Sequence, residues 1–555
     1  MPFNPMRQHF SAFNDQSDFK GIYLDSGATT QKLQTVIDIT NRYYQSSVNV
    51  HRSSYKLASD TTQKFEDARR TLQSFINAKD HREIVWTKGA TESINLLAAC
   101  LPRSLLQKGK NIVISTLEHH ANIVPWQILA EQYGLTLKVM PINDNGVLLL
   151  EEAVALIDEH TVLVAIGHVS NALGNINPIK SIITKAKTVG ALTLIDGTQA
   201  VSHMAVDVQD LDCDFYVFSG HKMFGPTGVG VFYGKLPLLE NMPPYQVGGE
   251  MIKKVSFKGS EFLGPPLKFE AGTPNIAGVL GLAAAANFIK SNRDTIVKQE
   301  LALSRYLQQS LASLTGIKIW GDPQHKIATF SFTVNGVNHY DLASYLNIQN
   351  ISVRVGHHCA MPLMEALGVD GTIRVSISCY NTEHELTNFI EALKSGICLF
   401  TNNSDSVFKN KISEEKAVDR PGELALAISQ AKSWDEKYRH IMLAGKSFPR
   451  LPKEQLKEDL EIFGCESQVW LKCELIDSTL YIQGDSPSKV VRGLLAIIFE
   501  YLRGKRPNEV LDFDLNTHLK SIGLDRYLSN SRANGIEAVL DRIFDFCKEY
   551  SNTQN

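Results

Sequence analysis

Short apolar runs alternate with amphipathic stretches between residues 84 and 400. Residues 91–101 and 179–189, which lie between such runs, have the three- and four-residue apolar spacing of helices. Strands that alternate with helices predict a mostly parallel sheet covered by helices on both faces. The runs predicted to be strands are EIVW (83–86), NIVIS (111–115), TVLVAIG (161–167), LTLID (192–196), DFYVFSG (214–220) and VGVFY (229–233).

The pattern changes after about residue 270, where longer helical stretches surround shorter strands such as IATFSFTV (327–334). This predicts a first domain over residues 1–400, made of a large α/β part (about 20–270) and a small subdomain (about 271–400, with the N-terminal segment). Residues 401–422 are polar and poor in large apolar side chains, which is typical of a linker. A new helical pattern follows, so we expect a separate small domain over residues 423–555.

Composition and charge restrict the class of protein. The 555 residues carry 56 basic and 59 acidic side chains, a net charge of −3, which predicts neither a nucleic-acid-binding nor an anionic-membrane surface. No apolar run approaches the roughly 18 residues of a membrane span, and the N-terminus has no apolar signal core, so we expect a cytoplasmic protein without membrane segments. The eight cysteines are scattered and form no CxxC pair, which favours neither a disulfide framework nor a metal site.

Chemically distinctive side chains follow the predicted strands, where ligands of such sheets bind. Lys222 comes after the strand DFYVF in SGHK (219–222), and Asp196 ends LTLID. Pyridoxal 5'-phosphate (PLP) requires a lysine for a Schiff base and an acid that keeps its pyridine nitrogen protonated. Lys222 and Asp196 are candidates for these roles, although each alone is equally consistent with a surface lysine and a loop-starting aspartate.

Candidates for the remaining PLP contacts also lie at strand ends. The segment 89–92 opens a helix after EIVWT, so Ala90 and Thr91 are candidate phosphate ligands at a helix N-terminus, as are Ser219 and His221 beside Lys222. Three further candidates contact the ring: His119 in LEHHAN by stacking on it, and Gln199 and Asn171 at its hydroxyl. Thr91 and His119 also have common structural explanations, such as helix capping.

Together and in this order, these segments resemble the aminotransferase class V family of fold-type I PLP enzymes over roughly residues 20–400. The family has a large, mostly parallel sheet domain and a small α/β subdomain, and the resemblance also implies that Ala28 binds substrate. The matching blocks are YLDSGATT (23–30), SVNVHR (47–52), GATESINL (89–96), EHHANIVPWQ (118–127), SNALGNINP (170–178), DGTQA (196–200) and SGHKMFGPTGVG (219–230).

The segment VRVGHHCAMPLM (353–364) indicates the reaction. Cys359 lies on a Gly- and His-rich stretch, where a thiolate could attack the sulfur of a bound cysteine, and His357 and His358 are candidates for lowering the pKa of its thiol. The alternative is a buried structural cysteine. The segment resembles the group II, SufS- and CsdA-type, cysteine desulfurases, which implies that Cys359 receives a persulfide from L-cysteine.

The same resemblance assigns two further residues. Arg374 in TIRVSISCYN (372–381) matches the arginine that binds the substrate carboxylate. Thr273 in AGTPN (271–275) matches a threonine that reaches the phosphate of a partner subunit, which implies a homodimer.

Residues 423–555 resemble the SufE-type sulfur acceptors, which are small α+β domains. The matching segments are GCESQVWL (464–471), GDSPSKVVRGLLAII (484–498), SIGLDRYLS (521–529) and SRANG (531–535). Cys465 matches the acceptor thiol, so the resemblance implies that sulfur passes from Cys359 to Cys465 and then to a downstream acceptor or an iron–sulfur scaffold protein. The alternatives are a selenocysteine lyase or a class V aminotransferase, with the C-terminal domain as a docking module.

Overall fold

The computed structural model describes residues 4–14, 17–401, 422–431, 434–462, 467–476, 478–524 and 530–553. The chain folds into two units. The first comprises Met1–Asn335 and Leu346–Ser395, and the second comprises Gly336–Tyr345 and Gly396–Asn555. No helix in the described ranges is long and apolar enough to cross a bilayer.

The strands, numbered in chain order, are β1 (Ile22–Tyr23), β2 (Ile84–Thr87), β3 (Asn111–Ser115), β4 (Thr136–Met140), β5 (Thr161–Gly167), β6 (Leu192–Asp196), β7 (Phe215–Ser219), β8 (Gly230–Gly234), β9 (Ile252–Ser256), β10 (Gly259–Phe262), β11 (Ile317–Trp320), β12 (Thr329–Val334), β13 (Ile351–Ser352), β14 (Arg354–Gly356), β15 (Thr372–Ser376), β16 (Glu461–Ile462), β17 (Val469–Ile476) and β18 (Thr479–Asp485).

The helices are α1 (Gln34–Gln45), α2 (Lys56–Phe75), α3 (Ala90–Cys100), α4 (Val124–Tyr133), α5 (Leu150–Ala155), α6 (Ile179–Thr188), α7 (Val208–Leu211), α8 (Leu236–Asn241), α9 (Ile276–Ala312), α10 (His339–Ile348), α11 (Met361–Ala366), α12 (Glu383–Thr401), α13 (Glu423–Gln430), α14 (Trp434–Ser447), α15 (Lys489–Leu502), α16 (Pro507–Leu511), α17 (Leu515–Ser521) and α18 (Asn530–Thr553).

A seven-stranded sheet in the order β2-β8-β7-β6-β5-β3-β4 forms the centre of the first unit. Neighbouring strands from β7 to β4 are parallel, and β8 alone runs against them. Side chains of β5 alternate between two separate cores, with Val164 and Ile166 in one and Leu163 and Ala165 in the other. The sheet is therefore buried on both faces, as the near-continuous apolar runs predicted, and the predicted fold class is confirmed.

Strand β4 was missed by the sequence analysis. It lies at the edge of the sheet, pairs only with β3 among the described strands, and exposes most of its side chains to some degree. Its sequence, TLKVM, contains a lysine whose ammonium group pairs with Asp158 at 2.6 Å. An edge strand that is half polar does not produce the apolar run by which the other strands were found.

The smaller part of the first unit contains the antiparallel sheet β11-β12-β15-β14 and the 37-residue helix α9. Strand β1 pairs in parallel with β13, which brings the N-terminal segment beside the chain that leads into β14.

Within its described residues, the second unit contains the antiparallel sheet β16-β17-β18, helices α13 to α18, most of α10 and the end of α12. Helices α14 and α15 approach closely at two glycines, because a Cβ on Gly445 or Gly493 would collide with the backbone of Lys489 or Ile441, respectively. Residues 336–345 also belong to this unit. Asp341 accepts hydrogen bonds from the backbone N–H groups of Lys489 (2.9 Å) and Val490 (3.3 Å) at the start of α15, where a carboxylate complements the helix dipole.

The predicted linker 401–422 lies almost entirely outside the described residues, so its predicted character stays a prediction.

One buried ion pair joins α2 to the sheet of the first unit. The Arg69 side chain is fully buried, donates two hydrogen bonds to Glu270 at 2.7 and 3.0 Å, and donates a third to the Ile84 carbonyl. Arg69→Met should lower the free energy of unfolding of this unit by about 3–5 kcal/mol, because it leaves a buried carboxylate without its cation. Urea unfolding followed by circular dichroism measures this change.

The matched control is Arg70→Met on the same helix, where the Arg70–Asp67 pair is about half exposed on both sides. We expect a change within about 0.5 kcal/mol for that variant. Equal effects of the two substitutions would contradict the importance assigned to the buried pair.

Candidate active site

A pocket lies at the carboxyl ends of the parallel strands, where the fold predicts ligand binding. It is lined by residues of the seven-stranded sheet and of the sheet β11-β12-β15-β14, and by residues of the segments beside them. Those that the sequence analysis singled out are Ala28, Ala90, Thr91, His119, Asn171, Asp196, Gln199, Ser219, His221, Lys222, Cys359 and Arg374. Residues far apart in the chain thus meet at one site.

One end of the pocket presents anion-binding groups. Helix α3 begins there after Gly89, whose φ of 155° and ψ of 178° are accessible essentially only to glycine. The Ser219 hydroxyl accepts a hydrogen bond from the Ala90 backbone N–H at 2.9 Å, so the start of α3 is attached to the end of β7. A Cβ at Gly230 would lie 2.6 Å from the Gly89 Cα, and a glycine in β8 therefore permits this close approach.

Lys222 lies in the turn after β7, and its partly buried side chain lines the pocket. Burial, and then the nearby Arg374 charge, lower the pKa of Lys222 to about 8, while the Asp196 carboxylate opposes the shift. The preceding carbonyl, of His221, accepts hydrogen bonds from the Thr30 backbone N–H at 3.0 Å and from Lys32 Nζ at 2.9 Å. These bonds fix the backbone that carries Lys222.

Asp196 is the last residue of β6, and Gln199 follows in the next turn; both line the pocket. Asp196 Oδ1 accepts a hydrogen bond from the Thr198 backbone N–H at 3.0 Å, which orients the carboxylate. Gln199 Nε2 donates to the Gly27 carbonyl at 2.9 Å and so connects this turn to the N-terminal segment.

His119 begins the turn His120–Asn122 after β3. Its Nδ1 accepts from the Ala121 backbone N–H at 3.0 Å. Burial, with a smaller contribution from the Lys222 charge, lowers the pKa of His119 to about 4, so the ring is neutral at neutral pH and carries its proton on Nε2. The arrangement leaves a flat, neutral ring at the pocket wall.

The buried Glu118 carboxylate supports the same turn. It accepts hydrogen bonds from the Ser115 hydroxyl, the Asn122 amide at 2.6 Å and the Gly167 backbone N–H at 2.9 and 3.0 Å, and burial raises its pKa to about 7. Glu118 thus holds together the ends of β3 and β5. The sequence analysis did not identify it, although it lies in the quoted segment EHHAN.

Cys359 lies on a tight loop between β14 and α11. His358 and Cys359 both have left-handed backbones, with φ of 52° and 56°. The loop is held by hydrogen bonds from Asn171 Nδ2 to the His358 carbonyl (2.7 Å) and from the His120 backbone N–H to the Cys359 carbonyl (2.8 Å). A partly exposed thiol is therefore fixed at the wall of the pocket that contains Lys222.

One expectation about this loop is wrong. Burial, aided by the positive charges of Arg374 and Arg354, holds the pKa of His358 well below its usual range, and His358 Nε2 pairs with the Thr372 hydroxyl at 2.8 Å. His358 is consequently neutral and cannot be a cationic neighbour of the thiol. The cations that interact with a Cys359 thiolate are Lys222 and Arg374.

Arg374 projects from β15 into the pocket and is fully buried. Its guanidinium donates to Asp25 Oδ1 at 2.9 Å and to the Asn171 carbonyl at 2.8 Å. Among the described residues, nothing accepts a hydrogen bond from its Nε. A buried guanidinium with a donor to spare suits a carboxylate ligand.

The donor set fits PLP. The lining includes the start of helix α3, the hydroxyls of Thr91 and Ser219, the His221 ring, the Asp196 carboxylate, the flat His119 ring and the amine of Lys222. The Thr198 hydroxyl also lines the pocket, is buried, and has no hydrogen-bond partner in the described part of the protein. In the described ranges, no group of three or more His, Cys, Asp or Glu side chains is placed to hold a metal ion.

Thr273 is exposed and does not line the pocket, so its predicted contact with a partner subunit stays a prediction. Cys465 lies outside the described residues, as do most of the surrounding segment GCES and of LDRYLS.

Arg354 lines the pocket but was not singled out, although it lies in the quoted segment VRVGHHCAMPLM.

The comparisons with known families and proteins agree with this geometry. Residues 22–389 match the model of the family "Aminotransferase class-V", and residues 422–547 match that of SufE, the "Fe-S metabolism associated domain". A probable cysteine desulfurase of Vibrio cholerae is 46% identical over 380 residues, which cover 68% of this chain and 94% of that protein. The cysteine desulfurase of Dickeya dadantii is 45% identical over 374 residues, covering 67% and 90% of the respective chains.

Solved structures of cysteine desulfurases are also similar to this chain. The cysteine desulfurase CsdA from Escherichia coli is 39% identical, with a TM-score of 0.67 over 72% of this chain and 99% of that one. The cysteine desulfurase from Thermococcus onnurineus is 36% identical, with a TM-score of 0.68 and the same coverage. The chain therefore belongs to the aminotransferase class V family and carries an additional C-terminal domain of the SufE family.

Proposed function

We propose that the chain is a PLP-dependent cysteine desulfurase that converts L-cysteine to L-alanine, keeps the sulfur as a persulfide on Cys359, and passes it to Cys465. The observation that carries the proposal is the position of Cys359, whose loop is hydrogen-bonded into the wall of the pocket that contains Lys222. An aminotransferase needs no thiol at that place. The identity of 39% with CsdA and of 46% with a probable cysteine desulfurase supports the same reaction.

The pocket residues have distinct roles toward the cofactor. Lys222 would form its covalent link, and Ala90, Thr91, Ser219 and His221, which line the same pocket, would bind its phosphate. Four residues would hold the ring: Asp196 would keep the pyridine nitrogen protonated, His119 would stack on the ring, and Gln199 and Asn171 would bind its hydroxyl. Bound PLP supplies an electron sink for the pair released when the Cα proton of the substrate is removed.

Lys222 and His119 handle the protons. A lysine with a pKa near 8 has a substantial neutral fraction at physiological pH, so Lys222 can take the Cα proton of the substrate. His119 carries a proton on Nε2 and can donate it to the substrate-derived part that becomes alanine. Arg374 binds the substrate carboxylate through guanidinium donors, with Ala28 lining the same region.

Sulfur transfer to Cys359 needs no external oxidant. The Cys359 thiolate attacks the substrate sulfur, so an S–S bond forms and the Cβ–S bond breaks. The electron pair of the broken bond stays with the substrate carbon, which takes up a proton and becomes the methyl group of alanine. The sum is L-cysteine plus an enzyme thiol giving L-alanine plus an enzyme persulfide.

The second transfer is a thiol exchange. The Cys465 thiolate attacks the outer sulfur of the Cys359 persulfide, which regenerates the Cys359 thiolate and leaves the persulfide on Cys465. The match of residues 422–547 to the SufE family supports this step. We further propose a homodimer in which the exposed Thr273 reaches the partner subunit's phosphate site, and delivery of the sulfur to a downstream acceptor or an iron–sulfur scaffold.

The purified protein should be yellow, from the link between Lys222 and PLP. Lys222→Ala should lose the absorbance of this link and all alanine formation, because both the covalent bond and the base at Cα are removed. Absorption spectroscopy and alanine release measure the two effects. Wild-type alanine yield from this variant would falsify the assignment of Lys222.

Cys359→Ser should keep the cofactor colour but lose turnover of L-cysteine, because Cys359 attacks sulfur and does not hold PLP. Turnover of L-selenocysteine should survive in part, since selenium is the better leaving group. The matched control is Cys398→Ser, an exposed cysteine in α12, which should leave L-cysteine turnover unchanged. Retention of L-cysteine turnover in Cys359→Ser would place the nucleophile elsewhere and favour the selenocysteine lyase.

Cys465→Ala should slow sulfur release from Cys359 when reductant is limiting. Covalent linkage of donor and acceptor gives an effective concentration of order millimolar where geometry permits contact. The full chain should therefore turn over faster than residues 1–400 alone, and residues 420–555 added as a separate chain should restore the rate only at high concentration. The variant should match the truncated enzyme, and the unaltered chain should show a mass shift of +32 on Cys465 after incubation with L-cysteine. Equal rates in all four preparations would indicate a docking module instead.

A further inference from the structure

His120 connects two parts of the active site that are distant in sequence. It follows His119, in the turn after β3, and it contacts the Cys359 loop between β14 and α11 at three points. Its backbone N–H donates to the Cys359 carbonyl at 2.8 Å, its Nε2 accepts from the Met361 backbone N–H at 3.0 Å, and its ring stacks on that of His357 with centroids 5.6 Å apart. No step of the proposed reaction uses this side chain.

These contacts act on both sides of the nucleophile. The His120 ring holds the residue two positions after Cys359, while the stacked ring of His357 is two positions before it. His357 Nδ1 in turn accepts from the Cys359 backbone N–H at 3.1 Å. The backbone donor and acceptor of Cys359 are thus both occupied by the two histidines.

The loop needs such support because of its backbone. Two consecutive non-glycine residues, His358 and Cys359, have positive φ, a conformation that is unfavourable for such residues and persists only when surrounding contacts impose it. The other end of the connection is rigid, since the buried Glu118 holds the turn of His120 to β3 and β5. His120 therefore joins a strained loop to a fixed part of the sheet.

We propose that His120 is a positioning residue that holds the Cys359 thiol at the distance at which it can attack the substrate sulfur. We call the contacts of His120 with Cys359, Met361 and His357 the clamp; they follow from the geometry alone. Their effect on catalysis rests on the proposed desulfurase reaction. A displacement of about 1 Å can cost on the order of 100-fold in rate. Loss of the clamp should thus impair the sulfur step while sparing the steps that depend on Lys222 and PLP.

Two variants distinguish the role of His120 Nε2 as a hydrogen-bond acceptor from the role of its ring in stacking on His357. His120→Phe keeps a flat ring against His357 but removes the acceptor for the Met361 N–H, whereas His120→Gln places a carbonyl oxygen near the position of Nε2. We expect His120→Phe to lower kcat for L-cysteine about 10- to 100-fold, with absorbance of the cofactor link and turnover of L-selenocysteine within about twofold of wild type. His120→Gln should recover most of the lost rate. The control His160→Phe, at an exposed histidine, should behave as wild type.

Hydrogen exchange on the full chain tests the clamp without turnover. In His120→Phe the amide of Met361 should exchange at least tenfold faster than in wild type, and in His120→Gln its protection should return. Unchanged exchange and unchanged kcat in His120→Phe would overturn the proposal, as would equal losses with L-cysteine and L-selenocysteine, which would place the effect on the whole pocket. Absence of alanine formation by the wild type would instead overturn the proposed function, and the exchange result would still decide the clamp.

Discussion

The buried guanidinium of Arg374 is the interaction on which the site depends. It extends from β15 in the small sheet and binds Asp25 of the N-terminal segment and the carbonyl of Asn171 after β5. A buried cation must be paired, and removal of one partner typically costs about 3–5 kcal/mol. The same group thus joins three segments of the first unit and leaves its Nε as a donor for the proposed substrate carboxylate, so the proposed recognition of substrate and the assembly of the pocket share one side chain.

Around this cation, burial determines the protonation state of the histidines of the pocket and of the Cys359 loop. His119, His221 and His358 are all held neutral, because desolvation lowers the pKa of each ring. Two arginines, Arg354 and Arg374, line the same pocket. An anionic ligand in the pocket would therefore meet the positive charge of the two arginines, while the histidines provide flat, neutral rings.

Much of the first unit could be predicted from the sequence. The strands of the large sheet carry long β-branched and aromatic runs that are buried on both faces, and three of the six predicted strands, over residues 111–115, 161–167 and 192–196, have the predicted bounds. Lys222, Asp196 and Cys359 follow strands in distinctive polar segments, so they could be identified as candidates. The half-polar edge strand β4 and the residues that support the site, Glu118 and His120, lacked such a signal because their roles are defined by partners distant in sequence.

The sequence by itself determined the alternation of strands and helices, and the order of chemical groups at the strand ends, because apolar periodicity and local turn residues act over a few neighbouring positions. Only the tertiary structure decided which of those groups face one another. It neutralised His358 by burying it against Thr372. It also assigned residues 336–345 to the second unit, and it placed His120 against the Cys359 loop, 239 residues away. Burial and long-range hydrogen bonding arise from packing of the whole chain, and no local pattern encodes them.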